Sequence, residues 1–186
     1  MQYISTRDKN TTYLASQAIA QGLAPDGGLM TPAYLPKLPG KSLSDLKEMS
    51  YQQRAVYIMK LFLDEFSVKE LTEFAAAAYG PEKFDTPAVA PVRALDDGTF
   101  CLELWHGPTS AFKDMALSIL PHLMITSARK NQVKNDIVIL TAVKLAAEQF
   151  PAFQKFSAEY TEMTDIIVGK QVIRCIIRLK MHCDHM

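Results

Sequence analysis

Apolar residues recur at helical spacing through residues 42–79. Val56, Met59, Leu63 and Phe66 fall on one stripe, and Leu71, Phe74, Ala75 and Ala78 fall on a second. That spacing predicts packing helices whose apolar faces meet in a core. Ser67-Val68-Lys69-Glu70 reads as a capping box, in which Ser67 accepts the Glu70 backbone N–H and the Glu70 carboxylate accepts in return. Gly80-Pro81 stops the run. Earlier in the chain, Leu14, Ala15 and Ala18 share a face and predict a short helix within residues 12–21. Gly22, Pro25, Asp26, Gly27 and Gly28 form a turn cluster, with the double glycine read as a turn that needs positive φ. Pro32, Pro36, Pro39 and Gly40 keep residues 32–40 from forming a long helix.

The period then changes. Val92-Arg93-Ala94-Leu95 and Thr99-Phe100-Cys101-Leu102-Glu103-Leu104 flank Asp96-Asp97-Gly98, the pattern of a β-hairpin. A loop, Trp105-His106-Gly107-Pro108, leads to Thr109 or Ser110 as the cap of a helix running through Leu117, Leu120, Met124 and Ile125. After a polar break at residues 129–135, Asp136-Ile137-Val138-Ile139-Leu140 predicts a buried strand of a parallel or mixed sheet. Residues 171–178 predict a further strand, which as a free edge would pair or self-associate. The order of elements places the chain in the α/β class, with helices packed on a small mixed sheet.

Composition narrows the partners. With 48% hydrophobic residues among 186, the chain can build a core of its own. Twenty basic residues balance twenty acidic ones, and Arg174, Arg178 and Lys180 are interleaved with apolar residues, so no basic face calls for nucleic acid. No apolar run approaches the ~20 residues of a membrane span, and the start, Met1-Gln2-Tyr3-Ile4-Ser5-Thr6-Arg7-Asp8, lacks a secretory pattern. Cys101, Cys175 and Cys183 are an odd, scattered set that reads as reduced thiols of a cytoplasmic protein. His182, Cys183 and His185 crowd the tail without a partner cluster, which is poor spacing for a closed metal site, so no metal is expected.

Candidate chemistry gathers in residues 103–114. There a strand gives way to a helix, where open α/β folds place ligands. Within it stand His106, Thr109, Ser110 and Lys113. Phe112 and Met115 flank the lysine, and desolvation by them would favour the neutral amine that Schiff-base chemistry needs. On residue types alone, a lysine in the first turns of a helix is as well explained by solvation, and His106 by a loop hydrogen bond.

His106-Gly107-Pro108-Thr109-Ser110-Ala111-Phe112-Lys113-Asp114 resembles the motif of threonine synthases that carries the cofactor lysine. Tyr3-Ile4-Ser5-Thr6-Arg7 and Gly22-Leu23-Ala24-Pro25-Asp26-Gly27-Gly28-Leu29 are similar to the family's N-terminal segments, in the same order. The resemblance covers residues 1–142. It implies the N-terminal portion of a fold-type-II enzyme dependent on pyridoxal 5'-phosphate (PLP), a lyase of threonine biosynthesis acting on O-phospho-L-homoserine and water. It implies Lys113 as the catalytic and cofactor-binding residue, with Phe112 and Asp114 positioning it against the cofactor. His106 would shape the pocket wall, and Thr109 and Ser110 would cap the helix or hold an anionic group. A threonine dehydratase or phospholyase-like enzyme of the same fold is the neighbouring alternative.

Residues 143–186 depart from that pattern. Where the family carries a Ser-Gly-Asp-Thr-Gly-like loop, this chain reads Val143-Lys144-Leu145-Ala146-Ala147-Glu148-Gln149-Phe150, with no glycine before Gly169. The family's longer chain supplies the second side of the cleft and the glycine-rich loop for the cofactor phosphate. The expectation is therefore a threonine-synthase-like region over 1–142, a divergent tail over 143–186 and an incomplete cofactor cleft. A catalytically inactive fragment or binding module, self-associating through exposed apolar surface, is the competing expectation.

Overall fold

A computed structural model describes residues 1–38, 43–134, 137–140, 165–168, 171–174 and 176–179. The chain divides into two compact units, Met1–Gln132 and Val133–Met186. In the first unit, β1 (Gln2–Ser5) is the centre of a three-stranded antiparallel sheet, between β2 (Thr12–Leu14) and β3 (Met30–Pro32). Tyr3 pairs with Tyr13 on one side and Pro32 on the other. The helix expected over 12–21 therefore begins later, as α1 (Ala15–Gln21). Thr12 and Tyr13 favour a strand and find a partner in β1, so pairing overrides the helical spacing there.

The turn that returns the chain to β3 is built on Asp26, whose Oδ1 accepts from the Ser5 hydroxyl and from the Gly28 N–H, each at 2.8 Å. Only the first glycine of the pair takes positive φ, Gly27 at 74°. Gly28 serves closeness instead: a Cβ there would lie 2.1 Å from the Ser5 Oγ.

Three helices occupy the segment that the apolar stripes predicted: α2 (Leu43–Lys47), α3 (Tyr51–Phe62) and α4 (Val68–Ala78). The Ser67 box forms as expected, with the Glu70 N–H donating to Ser67 Oγ at 3.1 Å and the Ser67 N–H to Glu70 Oε2 at 2.7 Å. A second box opens α3. Gln53 N–H donates to Ser50 Oγ at 3.2 Å and Ser50 N–H to Gln53 Oε1 at 2.9 Å. Phe66, Leu71, Ala75 and Ala78 are fully buried, in one cluster with Ala15, Tyr79, Phe84, Val89, Ile119 and Leu123. α3 packs on α4, and α1 packs on α6 (Leu120–Lys130).

β4 (Val92–Asp96) and β5 (Thr99–Leu102) form the expected hairpin, with Val92 opposite Leu102 and Ala94 opposite Phe100. The single helix expected after Thr109 or Ser110 is two short ones, α5 (Asp114–Leu117) and α6. Pro121 explains the break: it has no N–H to give and fits only the first turn of a helix, where α6 begins.

In the second unit β6 (Ile137–Leu140) pairs antiparallel with β9 (Ile176–Leu179), and β7 (Asp165–Val168) with β8 (Gln171–Arg174). The stretch expected as one strand over 171–178 is thus two, each with its own partner, and β6 lies in a two-stranded antiparallel sheet rather than the parallel or mixed one expected. Residues 143–150, Cys175, and the tail residues His182, Cys183 and His185 lie outside the described residues. Small antiparallel sheets and helices make the chain a mixed α/β fold. No described helix is long and apolar enough to cross a membrane.

Candidate active site

Residues 107–113 are a run of turns rather than a helix start, and Asp114 ties them together. Its buried carboxylate accepts the Thr109 N–H on Oδ2 at 2.8 Å and the Thr109 hydroxyl on Oδ1 at 2.6 Å. Thr109 therefore donates to Asp114 and caps nothing. Ser110 is exposed, takes φ of 55°, and donates its N–H to the Gly107 carbonyl at 3.1 Å. Glycine is required at 107 because Asp114 folds over it: an added Cβ would meet the Asp114 Cβ at 2.5 Å and Oδ2 at 2.7 Å. From the other side the buried Tyr79 anchors the turn, its hydroxyl donating to the Met115 carbonyl at 2.8 Å. Burial pushes that phenol well above its ordinary pKa, with the neighbouring Tyr51 adding to the effect. It remains a donor at any working pH.

His106 is held between two carboxylates. Its Nδ1 lies 2.6 Å from Asp85 Oδ1 and its Nε2 lies 2.9 Å from Glu103 Oε2. Glu103 is buried and also meets the Arg93 Nε at 3.2 Å. The hydrogen bond to Glu103 is the largest influence and raises the imidazole above its ordinary pKa; desolvation, next in size, opposes it, and the bond and charge of Asp85 add to the rise. The His106 carbonyl accepts the Asp85 N–H at 3.2 Å, and the ring stacks on Trp105 at 5.7 Å. Among the described residues no group of three or more histidine, cysteine or acidic side chains could hold a metal ion.

Lys113 immediately precedes α5, with its carbonyl accepting from Ala116 and Leu117. Its ammonium lies 6.0 Å from the Phe112 ring centroid. The desolvation expected from Phe112 does not materialise, because Phe112 is itself 64% exposed and the lysine is exposed beside it. What Lys113 does line is an open, mostly apolar cleft of about 700 Å³, together with Tyr51, Arg54, Val92, Leu102 and Phe112. The Tyr51 ring packs edge-on against Tyr79 at 5.0 Å, and burial raises its hydroxyl above the ordinary pKa against an opposing effect of the Arg54 charge.

The structure thus brings His106, Thr109, Lys113 and Asp114 into one folded loop and leaves Ser110 and Phe112 at its surface. Sequence reasoning missed Asp85, Glu103, Tyr79 and Arg54 as neighbours of that loop. Only Glu103, three residues before His106 in a strand-to-loop segment, carried a local signal; the others arrive through tertiary packing.

The fold has counterparts among solved structures. PLP-bound threonine synthase from Brucella melitensis matches with a TM-score of 0.65 and 33% identity, over 71% of this chain and 28% of that one. The fold is therefore the N-terminal portion of the fold seen in PLP-bound threonine synthase. Residues 2–79 match the family described as threonine synthase N terminus. Threonine synthase of Corynebacterium glutamicum is 37% identical over 147 residues, 76% of this chain and 31% of that enzyme. The Schizosaccharomyces pombe enzyme is 34% identical over 148 residues, 77% of this chain and 28% of that one. The N-terminal region of this chain is homologous to the N-terminal portion of threonine synthases. It spans less than a third of the length of these relatives.

Proposed function

We propose that this chain carries the lysine half of a threonine synthase site, with Lys113 as the residue that bonds PLP covalently and O-phospho-L-homoserine as the substrate. The observation that carries the reading is the position of Lys113. The motif lysine projects from a tied loop onto an apolar cleft that a planar aromatic ring could enter. The residues present fit the aldehyde end of the cofactor: a primary amine is exposed at the cleft wall, and Arg54 is a second cation lining the same space. When bound, PLP supplies the electron sink for carbanion chemistry next to the substrate amine. The chain's own part is placement and proton traffic. The Lys113 amine, once free, is the group able to move a proton between adjacent substrate carbons. Asp114 and Thr109 hold the turn from which it projects. Phe112 offers an apolar face beside it. Ser110, exposed at positive φ, is the hydroxyl left available to an anionic group.

A second reading, an inactive or binding module that keeps this region alone, draws support from the exposure of Lys113 and the openness of the cleft. Exposed Val92, Leu95, Phe100 and Leu102 support self-association in the same reading. A cytoplasmic location accords with either.

The test is borohydride reduction of the protein with PLP, followed by peptide mapping, for wild type and Lys113→Ala. A pyridoxyl label on the Lys113 peptide, absent from the variant, is the expected result. A label spread over other lysines, or none, overturns the assignment. Phosphate release from O-phospho-L-homoserine by protein that accepts the label separates the enzyme from the binding module.

A further inference from the structure

The histidine beside the lysine loop has more structure around it than a pocket wall requires. His106 connects three separate pieces of chain: Asp85 after α4, Glu103 just beyond β5, and the loop that ends at Lys113. Ionised carboxylates only accept hydrogen bonds, and a neutral imidazole has one N–H. Both short contacts are therefore made together only when both ring nitrogens carry protons. Loss of one proton leaves one of the two carboxylates facing a lone pair. The buried Glu103 would keep its Arg93 partner, whereas Asp85 is largely exposed and can turn to water. One residue beyond His106, Gly107 lies under Asp114 and its carbonyl accepts from Ser110, so a shift of His106 is passed directly into the turn.

We propose that Asp85, His106 and Glu103 form a protonation-dependent clamp that positions the Lys113 loop, closed when the imidazole is cationic and loosened when it is neutral. Asp85, Glu103 and, through Glu103, Arg93 are the charged groups joined to the imidazole, and Trp105 covers its face. His106 is a positioning residue here; it acts on Lys113 through residues 107–113. The functional consequence rests on the reading of Lys113 as the reactive amine, while the clamp itself stands on geometry.

The experiment follows two quantities in the same samples across roughly pH 5 to 9, the range in which a histidine titrates. One is the His106 ring-proton NMR shift, with fluorescence of Trp105, the chain's only tryptophan, as a second report from the stacked ring. The other is the hydrogen-exchange protection factor of the Ser110 and Asp114 amides, which bond inside the loop. In wild type, protection falls about tenfold along the His106 titration, a change in keeping with loss of one charge-assisted hydrogen bond. In Asp85→Asn, which keeps an acceptor and removes the charge, the His106 midpoint and the protection midpoint both move to lower pH. A purely structural role would lower protection at every pH without moving a midpoint. Flat protection through the His106 titration, or a protection midpoint that stays while His106 shifts, overturns the clamp. Pyridoxyl labelling of Lys113 is read separately. If no label forms while the coupled midpoints hold, the cofactor reading fails and the clamp survives.

Discussion

Between Tyr51 and Tyr79 the chain buries Phe66, Leu71, Ala75 and Ala78 completely, whereas the hairpin of β4 and β5 leaves Val92, Leu95, Phe100 and Leu102 exposed. Both segments are rich in apolar residues, and both form the element their spacing predicts. The difference lies in what each can do alone. A pair of amphipathic helices has one apolar stripe each and satisfies both by packing together. A two-stranded hairpin has two faces and no third layer to cover either. The first region builds a core, completed by Ala15, Phe84, Val89, Ile119 and Leu123 from elsewhere in the chain. The second is a surface, and the Lys113 cleft runs along it through Val92 and Leu102. The cleft is open for the same reason that the hairpin is exposed.

The sharpest way to break this contrast is Phe66→Ala. Phe66 is fully buried, packs edge-on to Phe74 at 6.4 Å and lies under the Lys130 ammonium at 5.2 Å. Truncation leaves a cavity that rigid neighbours cannot fill, and the expected loss is about 3–5 kcal/mol by chemical denaturation. A loss under about 1 kcal/mol would mean that the helical region is no better packed than the hairpin.

A smaller effect tests the helix ends that hold the core together. Ser67→Ala removes the acceptor for the Glu70 N–H and should cost about 1 kcal/mol. The Ser67 backbone N–H, then its hydroxyl and Lys130, hold the Glu70 carboxyl below its ordinary value of 4.5, against a partial desolvation effect in the other direction. A carboxylate whose pKa is lowered by folding stabilises the fold above its unfolded pKa, and that contribution disappears as pH falls through the lowered folded value. The stability gap between wild type and Glu70→Gln should therefore be present at neutral pH and close as the solution is acidified below 4.5. A gap that persists in acid would assign the effect to packing rather than to charge.

The same two regions show what the residues disclose unaided. Ser67 and Glu70 announce a helix start because the hydrogen bonds involved are local, three residues apart. The Asp96-Asp97-Gly98 turn is local in the same sense. Pairing of Thr12 and Tyr13 with β1 is not local, and it converts a predicted helical turn into β2. Pro121 is a local signal for the break before α6, masked by the helical spacing of the apolar residues on either side of it. At the site, the motif marks Lys113, but the partners that define its setting come from afar: Asp85 reaches His106 across 21 residues and Tyr79 reaches Met115 across 36. Motif resemblance singles out Lys113; its exposure, and the contacts of Asp85 and Glu103 with His106, depend on packing that no spacing rule encodes.

The least costly change is expected in the hairpin, and its small size is what makes it informative. Phe100 is 66% exposed, opposite Ala94 in the non-core ribbon. Phe100→Thr keeps a residue suited to a strand and removes an aromatic ring from water. If the hairpin is solvent-facing in the isolated chain, stability changes by no more than about 0.5 kcal/mol. Exposed apolar area falls, so any dimer seen by sedimentation should weaken while denaturation midpoints stay in place. A loss of about 2 kcal/mol or more would require Phe100 to be buried in solution, against a second copy if the loss scales with protein concentration. In that outcome the hairpin is a core completed between chains, and the cleft beside Lys113 is narrower in solution than in one copy alone.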